Sequence, residues 1–117
     1  MAARSVVAEK AFAFAVRLVK LVRQLQMEHK EYVLSKQLLR SGTSIGANIE
    51  EALAGQSRKD FIAKMSIASK ETRETLYWLR LLHETGYIGA NAELSIEREC
   101  KALRNMLTAI VKTSQGN

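Results

Sequence analysis

Leu38-Leu39-Arg40-Ser41-Gly42-Thr43-Ser44-Ile45-Gly46-Ala47-Asn48-Ile49-Glu50-Glu51-Ala52 is the stretch on which the fold turns. Leu38, Ser41, Ile45, Asn48 and Ala52 keep the 3-4 spacing of one helix face. Much of the run is nevertheless made of poor helix formers. Its two glycines and four Ser/Thr/Asn residues together cost a helix roughly 3–5 kcal/mol against alanine. A tertiary gain must offset that, and small side chains offer one: close approach of a neighbouring helix. The spacing therefore predicts one helix over about 35–54, with Gly42 and Gly46 at a helix contact. The competing pattern puts a loop at Ser41–Ser44, but the apolar register continues across it.

Three further helical patterns flank this one, at about 5–27, 58–85 and 92–113. The first carries Val7, Ala11, Phe14, Leu18, Leu21 and Leu25 at 4-3-4-3-4 spacing, the seam of a bundle helix, with Ser5 as N-cap. Glu28–Glu31 breaks the repeat and reads as a loop. Gly55 fits the left-handed position after the second helix. Ser57, with Asp60 three residues on, resembles a capping box for the third. That helix carries Phe61, Met65, Ala68, Thr72, Leu76 and Leu79 and ends before Gly86. Asn91 is placed as N-cap of the fourth, whose stripe is Ile96, Cys100, Leu103, Leu107 and Ile110. The final residues, Ser114–Asn117, read as a frayed tail. The short turns predict antiparallel neighbours. The expected fold is all-α: one domain over 1–117, an antiparallel up-down four-helix bundle.

Arg40-Ser41-Gly42-Thr43-Ser44-Ile45-Gly46-Ala47-Asn48-Ile49-Glu50-Glu51-Ala52 and Glu71-Thr72-Arg73-Glu74 through Trp78-Leu79-Arg80-Leu81-Leu82 carry a resemblance to a known family. The chain resembles the bacterial four-helix-bundle proteins encoded in intervening sequences of large-subunit ribosomal RNA genes, sometimes labelled S23 ribosomal proteins. The resemblance spans about residues 10 to 112. It implies an antiparallel four-helix bundle that assembles into rings of five. A distant relative, the accessory protein of diversity-generating retroelements, binds nucleic acid and a reverse transcriptase.

Composition bounds the function. At 117 residues the chain can bury a core without staples. Proline is absent, which favours long uninterrupted helices. The net charge is +6, which favours polyanionic partners. A single cysteine, Cys100, excludes an intramolecular disulfide and suits a reducing, cytoplasmic setting. It also falls on an apolar seam, where a thiol acts as a small hydrophobe. The most apolar stretch, Ala11–Val22, is interrupted by Arg17 and Lys20 and is too short to span a membrane. No signal-peptide pattern is evident.

Chemistry-bearing constellations are sparse. A bundle di-metal centre needs Glu-x-x-His on two helices. His29 and His83 lack that spacing, so neither a metal nor another cofactor is expected. No serine, histidine and acid fall into a nucleophilic arrangement. Gly42-x-x-x-Gly46 is not followed by the Gly-Lys-Ser/Thr of a phosphate loop. No catalytic residue is assigned, and the chain reads as a non-enzyme.

Three groups of residues remain. Asn48, on the apolar face of its helix, needs partners. Glu71, Thr72, Glu74 or Tyr77, on the third helix, would supply them, with Asn48, Glu71 and Glu74 as the polar link that fixes register. Ile67, Trp78 and Leu81 on the third helix, with Phe12, Val16 and Val19 on the first, widen the apolar faces beyond what one chain can bury. They read as an interface between copies of the chain. Lys10, Arg17, Lys20, Arg98, Lys101 and Lys112 project outward on the two terminal helices. They read either as a surface for RNA or DNA phosphates or as an ordinary solvated face. No aromatic side chains interleave them, so stacking on single strands is not expected. A protein-interaction scaffold without nucleic acid is the alternative.

Overall fold

A computed structural model describes residues 5–116, with the backbone alone described at 90–94. The chain forms α1 (Val6–His29), α2 (Val33–Leu53), α3 (Arg58–Glu84) and α4 (Ala90–Gln115), with no strand among the described residues. α1 packs on α2 and α4, and α3 packs on α2 and α4, which sets the helices in cyclic order. The α2–α3 seam is the most extensive and the α1–α4 seam the slightest. Neighbours run antiparallel: Arg40 meets Glu74 while Glu51 meets Lys64, and Arg58 at the start of α3 reaches Ser114 at the end of α4. The body measures 46 × 24 × 21 Å.

The core is a column of side chains along the bundle axis. α1 gives Val7, Ala11, Phe14, Leu18, Val22 and Leu25, and α2 gives Leu38, Ile45, Ile49 and Ala52. α3 gives Met65, Ala68, Leu79 and Leu82, and α4 gives Ile96, Cys100, Leu103 and Leu107. On α3 strict 4-3 spacing from Thr72 reaches Thr75, which is buried, rather than the expected Leu76. On α1 and α2 the next residue along is buried instead, Val22 in place of Leu21 and Ile49 in place of Asn48. A helix of 3.6 residues per turn drifts about 20° per heptad against a 3.5 repeat. After two or three turns the next residue along has therefore rotated inward.

α2 runs unbroken through Ser41–Ser44. Gly42 is the point of closest approach. A Cβ there would overlap Leu18 Cδ2, whereas a Cβ at Gly46 would sit 3.6 Å from the Cβ of Ala11, an ordinary contact. Of the two glycines expected at the contact, only Gly42 requires the missing side chain.

The helix ends correct several expectations. α1 continues through Glu28 and His29 and stops at Lys30, whose φ of 55° is left-handed. α2 begins at Val33 because Glu31 caps it. Glu31 Oε1 accepts from Ser35 N at 2.7 Å, Oε2 from Leu34 N at 3.1 Å, and the Ser35 hydroxyl donates back to Glu31 O at 2.6 Å. A carboxylate at a helix N-terminus satisfies orphan N–H groups and complements the dipole. Gly55 is not left-handed; α2 ends in αR geometry at Ala54. Its lack of a side chain instead makes room for Asp60, whose Oδ2 a Cβ would strike. Ser5 and Ser57 cap as expected, accepting from Ala8 N and Asp60 N.

α3 ends in a Schellman motif: Tyr87 N donates to Leu82 O, Gly86 N to His83 O, and Gly86 has φ 84°. Gly89, not Asn91, occupies the N-cap of α4, since the helix already begins at Ala90. At the far end α4 extends to Gln115, where Arg58 Nε donates to Ser114 O at 3.1 Å. Asn117, the end of the expected tail, lies outside the described residues.

Candidate functional site

The two distinctive sequence motifs face each other across the α2–α3 seam. Arg40 leaves the first turns of α2 and pairs with Glu74 of α3; its Nη1 lies 3.7 Å from Glu71 Oε2. Glu74 Oε2 also accepts from Trp78 Nε1 at 3.0 Å. These contacts act on both partners. Trp78 and then Arg40 hold the Glu74 carboxyl below its usual range, and Glu74 holds Arg40 above its own. Below this cluster Thr75 Oγ1 lies within hydrogen-bond distance of Ser41 Oγ at 2.9 Å and of Glu71 O at 2.7 Å, and both hydroxyl side chains are fully buried. Glu71 Oε1 is buried and accepts no hydrogen bond from any described residue.

The polar link between α2 and α3 is thus Ser41–Thr75 together with Arg40–Glu74, not Asn48. Asn48 lies half-buried at the edge of the core. Its amide donates to Ser44 O at 2.8 Å and to Ser44 Oγ at 3.0 Å, within its own helix. The drift that brings Ile49 inward turns Asn48 aside. Glu71 and Glu74 belong to the link as expected, but toward Arg40. Arg40, Ser41 and Thr75 were the missed members. Arg40 could have been found as the first cation of its motif, and Thr75 as the strict 4-3 successor of Thr72.

The apolar residues read as an interface fall on two separate faces. Phe12 is 70% exposed, and Val16 and Val19 are exposed beside it on α1. Phe12 lines an open groove of about 570 Å³ with Ala8, Glu9, Glu50 and Leu53, between α1 and α2. Ile67 is exposed on α3, while Trp78 is half-buried, its ring and that of Tyr77 in a T-shaped contact with centroids 5.1 Å apart. Leu81 is half-buried. α1 and α3 are not neighbours in the bundle, so the two patches cannot cover one another within a single chain.

Of the six basic residues read as a surface on α1 and α4, two meet carboxylates. Arg17 pairs with Glu99 and donates to Ser95 Oγ at 3.2 Å, and Lys101 pairs with Glu97 at 3.0 Å. Lys10, Lys20, Arg98 and Lys112 are exposed. Lys112 stands apart from the others, at the α3–α4 groove. The α1–α4 surface is therefore a mixed-charge face rather than a continuous positive one.

Cys100 is buried with Sγ 3.5 Å from Thr72 O, and burial pushes its thiol up to about 12. A thiol so placed carries almost no nucleophilic thiolate at neutral pH. Among the described residues no group of three His, Cys, Asp or Glu is arranged to hold a metal ion, and no helix is long and apolar enough to cross a membrane.

A bundle of four antiparallel helices with a polar clasp on one seam defines a helical-bundle protein. More narrowly, the family description "23S rRNA-intervening sequence protein" matches residues 3–109, and the chain belongs to that family. It is similar to a protein of unknown function from the S23 ribosomal protein family of Bacteroides thetaiotaomicron VPI-5482, known from a crystal structure at 1.70 Å. The two share 52% identity with a TM-score of 0.90, over 92% of this chain and 99% of that one. No curated protein matches the chain.

Proposed function

We propose that this chain is a non-enzymatic, cytoplasmic bundle protein that self-associates and holds nucleic acid, RNA or DNA, through phosphate contacts. The observation that carries the reading is the net charge of +6 borne on outward helix positions. Phosphate contacts release counterions and need no base-specific geometry. Self-association is supported by Phe12, Val16 and Val19 on one face and Ile67 on another. Two unlike apolar faces on one chain suit head-to-tail contacts, which form a ring where the rotation between copies closes. A ring of five follows the family resemblance rather than any angle measured here. Repetition of a basic surface around a ring would add weak contacts through multivalency.

The carboxylates Glu97 and Glu99 beside Lys101 and Arg17 favour a second reading, a protein scaffold with no nucleic acid. Two measurements separate them. Light scattering at micromolar concentration should give a mass well above the 13.1 kDa subunit; a monomer mass overturns self-association. Fluorescence anisotropy with labelled RNA and duplex DNA should show binding that weakens steeply with salt. A log–log slope near −3 to −4 is expected if about four phosphates are engaged. Absence of binding at low salt leaves the scaffold.

A further inference from the structure

The α3–α4 groove differs in chemistry from every other face described above. Ser66, Ser69 and Arg73 recur at helical spacing on α3, and Thr108, Lys112 and Gln115 do so on α4. The antiparallel packing sets the two rows along an open cleft of about 250 Å³. Val111 is the one apolar side chain of the lining, and no carboxylate lines it. Arg73 and Lys112 are exposed, and neither pairs with an acid among the described residues. Elsewhere on the bundle four cations are paired instead: Arg17 with Glu99, Arg40 with Glu74, Lys64 with Glu51 and Lys101 with Glu97.

The lining is almost wholly a set of donors. Guanidinium and ammonium groups donate only, hydroxyls donate or accept, and the Gln115 amide offers two N–H groups. An oxyanion accepts from all of them, and an arginine fork can meet it through two parallel bonds. The stretch from Ser66 to Arg73 covers about 10 Å of helix, enough for about two successive phosphates of one strand. No aromatic ring lines the groove, so bases have no stacking platform there.

We propose that the α3–α4 groove, through Arg73 and Lys112, is a phosphate-binding site for the sugar–phosphate backbone of a nucleic acid, read without regard to base identity. This rests on the nucleic-acid reading above but moves the principal contact from the α1–α4 face to a different seam. Arg73 belongs to none of the three sequence groups assigned a role, and Lys112 is separated from the other basic residues of α4.

The test is anisotropy titration of a labelled 20-base-pair RNA duplex, its DNA counterpart and a single-stranded RNA, each across a salt series. The proteins are the wild type, Arg73→Glu/Lys112→Glu, Arg73→Lys, and Lys10→Glu/Lys20→Glu on α1. All substituted residues are exposed, and circular dichroism checks that the fold is kept. The groove double variant should bind both duplexes at least ten-fold more weakly at low salt, with a log–log slope shallower by about 2. Arg73→Lys should keep most of the affinity, and the α1 variant should change it less than three-fold. Equal binding by wild type and the groove variant, with loss in the α1 variant, overturns the groove and leaves the nucleic-acid reading intact. No binding by wild type overturns both. Binding confined to single-stranded RNA also overturns the proposal, because an unstacked base would then be required.

Discussion

At the scale of single residues, Gly42 and Gly46 look interchangeable in sequence and are not. Gly42 faces Leu18, which is fully buried, so a methyl group there has to displace the Leu18 side chain within the core. Gly42→Ala should therefore destabilise by about 1–3 kcal/mol through overpacking. Gly46→Ala meets only ordinary contacts and removes backbone freedom from the unfolded chain. It should stabilise by up to about 1 kcal/mol. Urea denaturation of the two variants decides this, and equal effects would contradict the packing described. Glu74 gives a second prediction. Trp78 and Arg40 lower its folded pKa below the ordinary 4.5. Its contribution to stability is then complete above that ordinary value and is lost as pH falls through the lower folded one. Trp78→Phe removes the leading cause, so the Glu74 titration followed by NMR should move up toward 4.5. An unmoved titration would mean that Arg40 alone sets it.

At the scale of helices, most boundaries were legible and most of the errors share one cause. Ser5, Ser57 and Gly86 have local signatures, a hydroxyl or a missing Cβ at a fixed offset, and each acts as its signature implies. Glu31 has none. It caps α2 from outside the nominal N-cap position, with two carboxylate oxygens on two successive N–H groups, so a scan for Ser, Thr, Asp or Asn passes over it. Such a cap contributes on the order of 1 kcal/mol. The stripes were legible as stripes, but their members slid forward by one residue at Val22 and Ile49, which explains why Asn48 was placed in the polar link. Thr75 instead follows strict 4-3 spacing from Thr72, and the larger apolar Leu76 beside it drew the reading away. The basic face was legible only as charge. Which cations are engaged depends on carboxylates brought by a different turn of the same or a neighbouring helix, as with Glu99 and Arg17, and spacing along one helix does not report that.

At the scale of the whole molecule, the four seams are unequal. Three of them join helices consecutive in sequence, across the connections 30–32, 54–57 and 85–89. The fourth joins α1 to α4, and it is the slightest. Its polar contacts, Arg17 to Glu99 and to Ser95, lie at the surface, where ion pairs stabilise by no more than about 1 kcal/mol. Native-state hydrogen exchange should find the amides of α2 and α3 protected longest, with α1 and α4 released earlier through partial openings. Uniform protection across all four helices would contradict this. The loop-closure entropy of the fourth seam is also the largest, because it joins the two ends of the chain. α1 is thus held as a leaf on a hinge at Lys30–Tyr32, with its inner edge formed by Phe14 and Leu18. A leaf that swings out exposes a slot shaped for an identical leaf, so the same seam that completes the monomer is the place where two chains could trade first helices at high concentration.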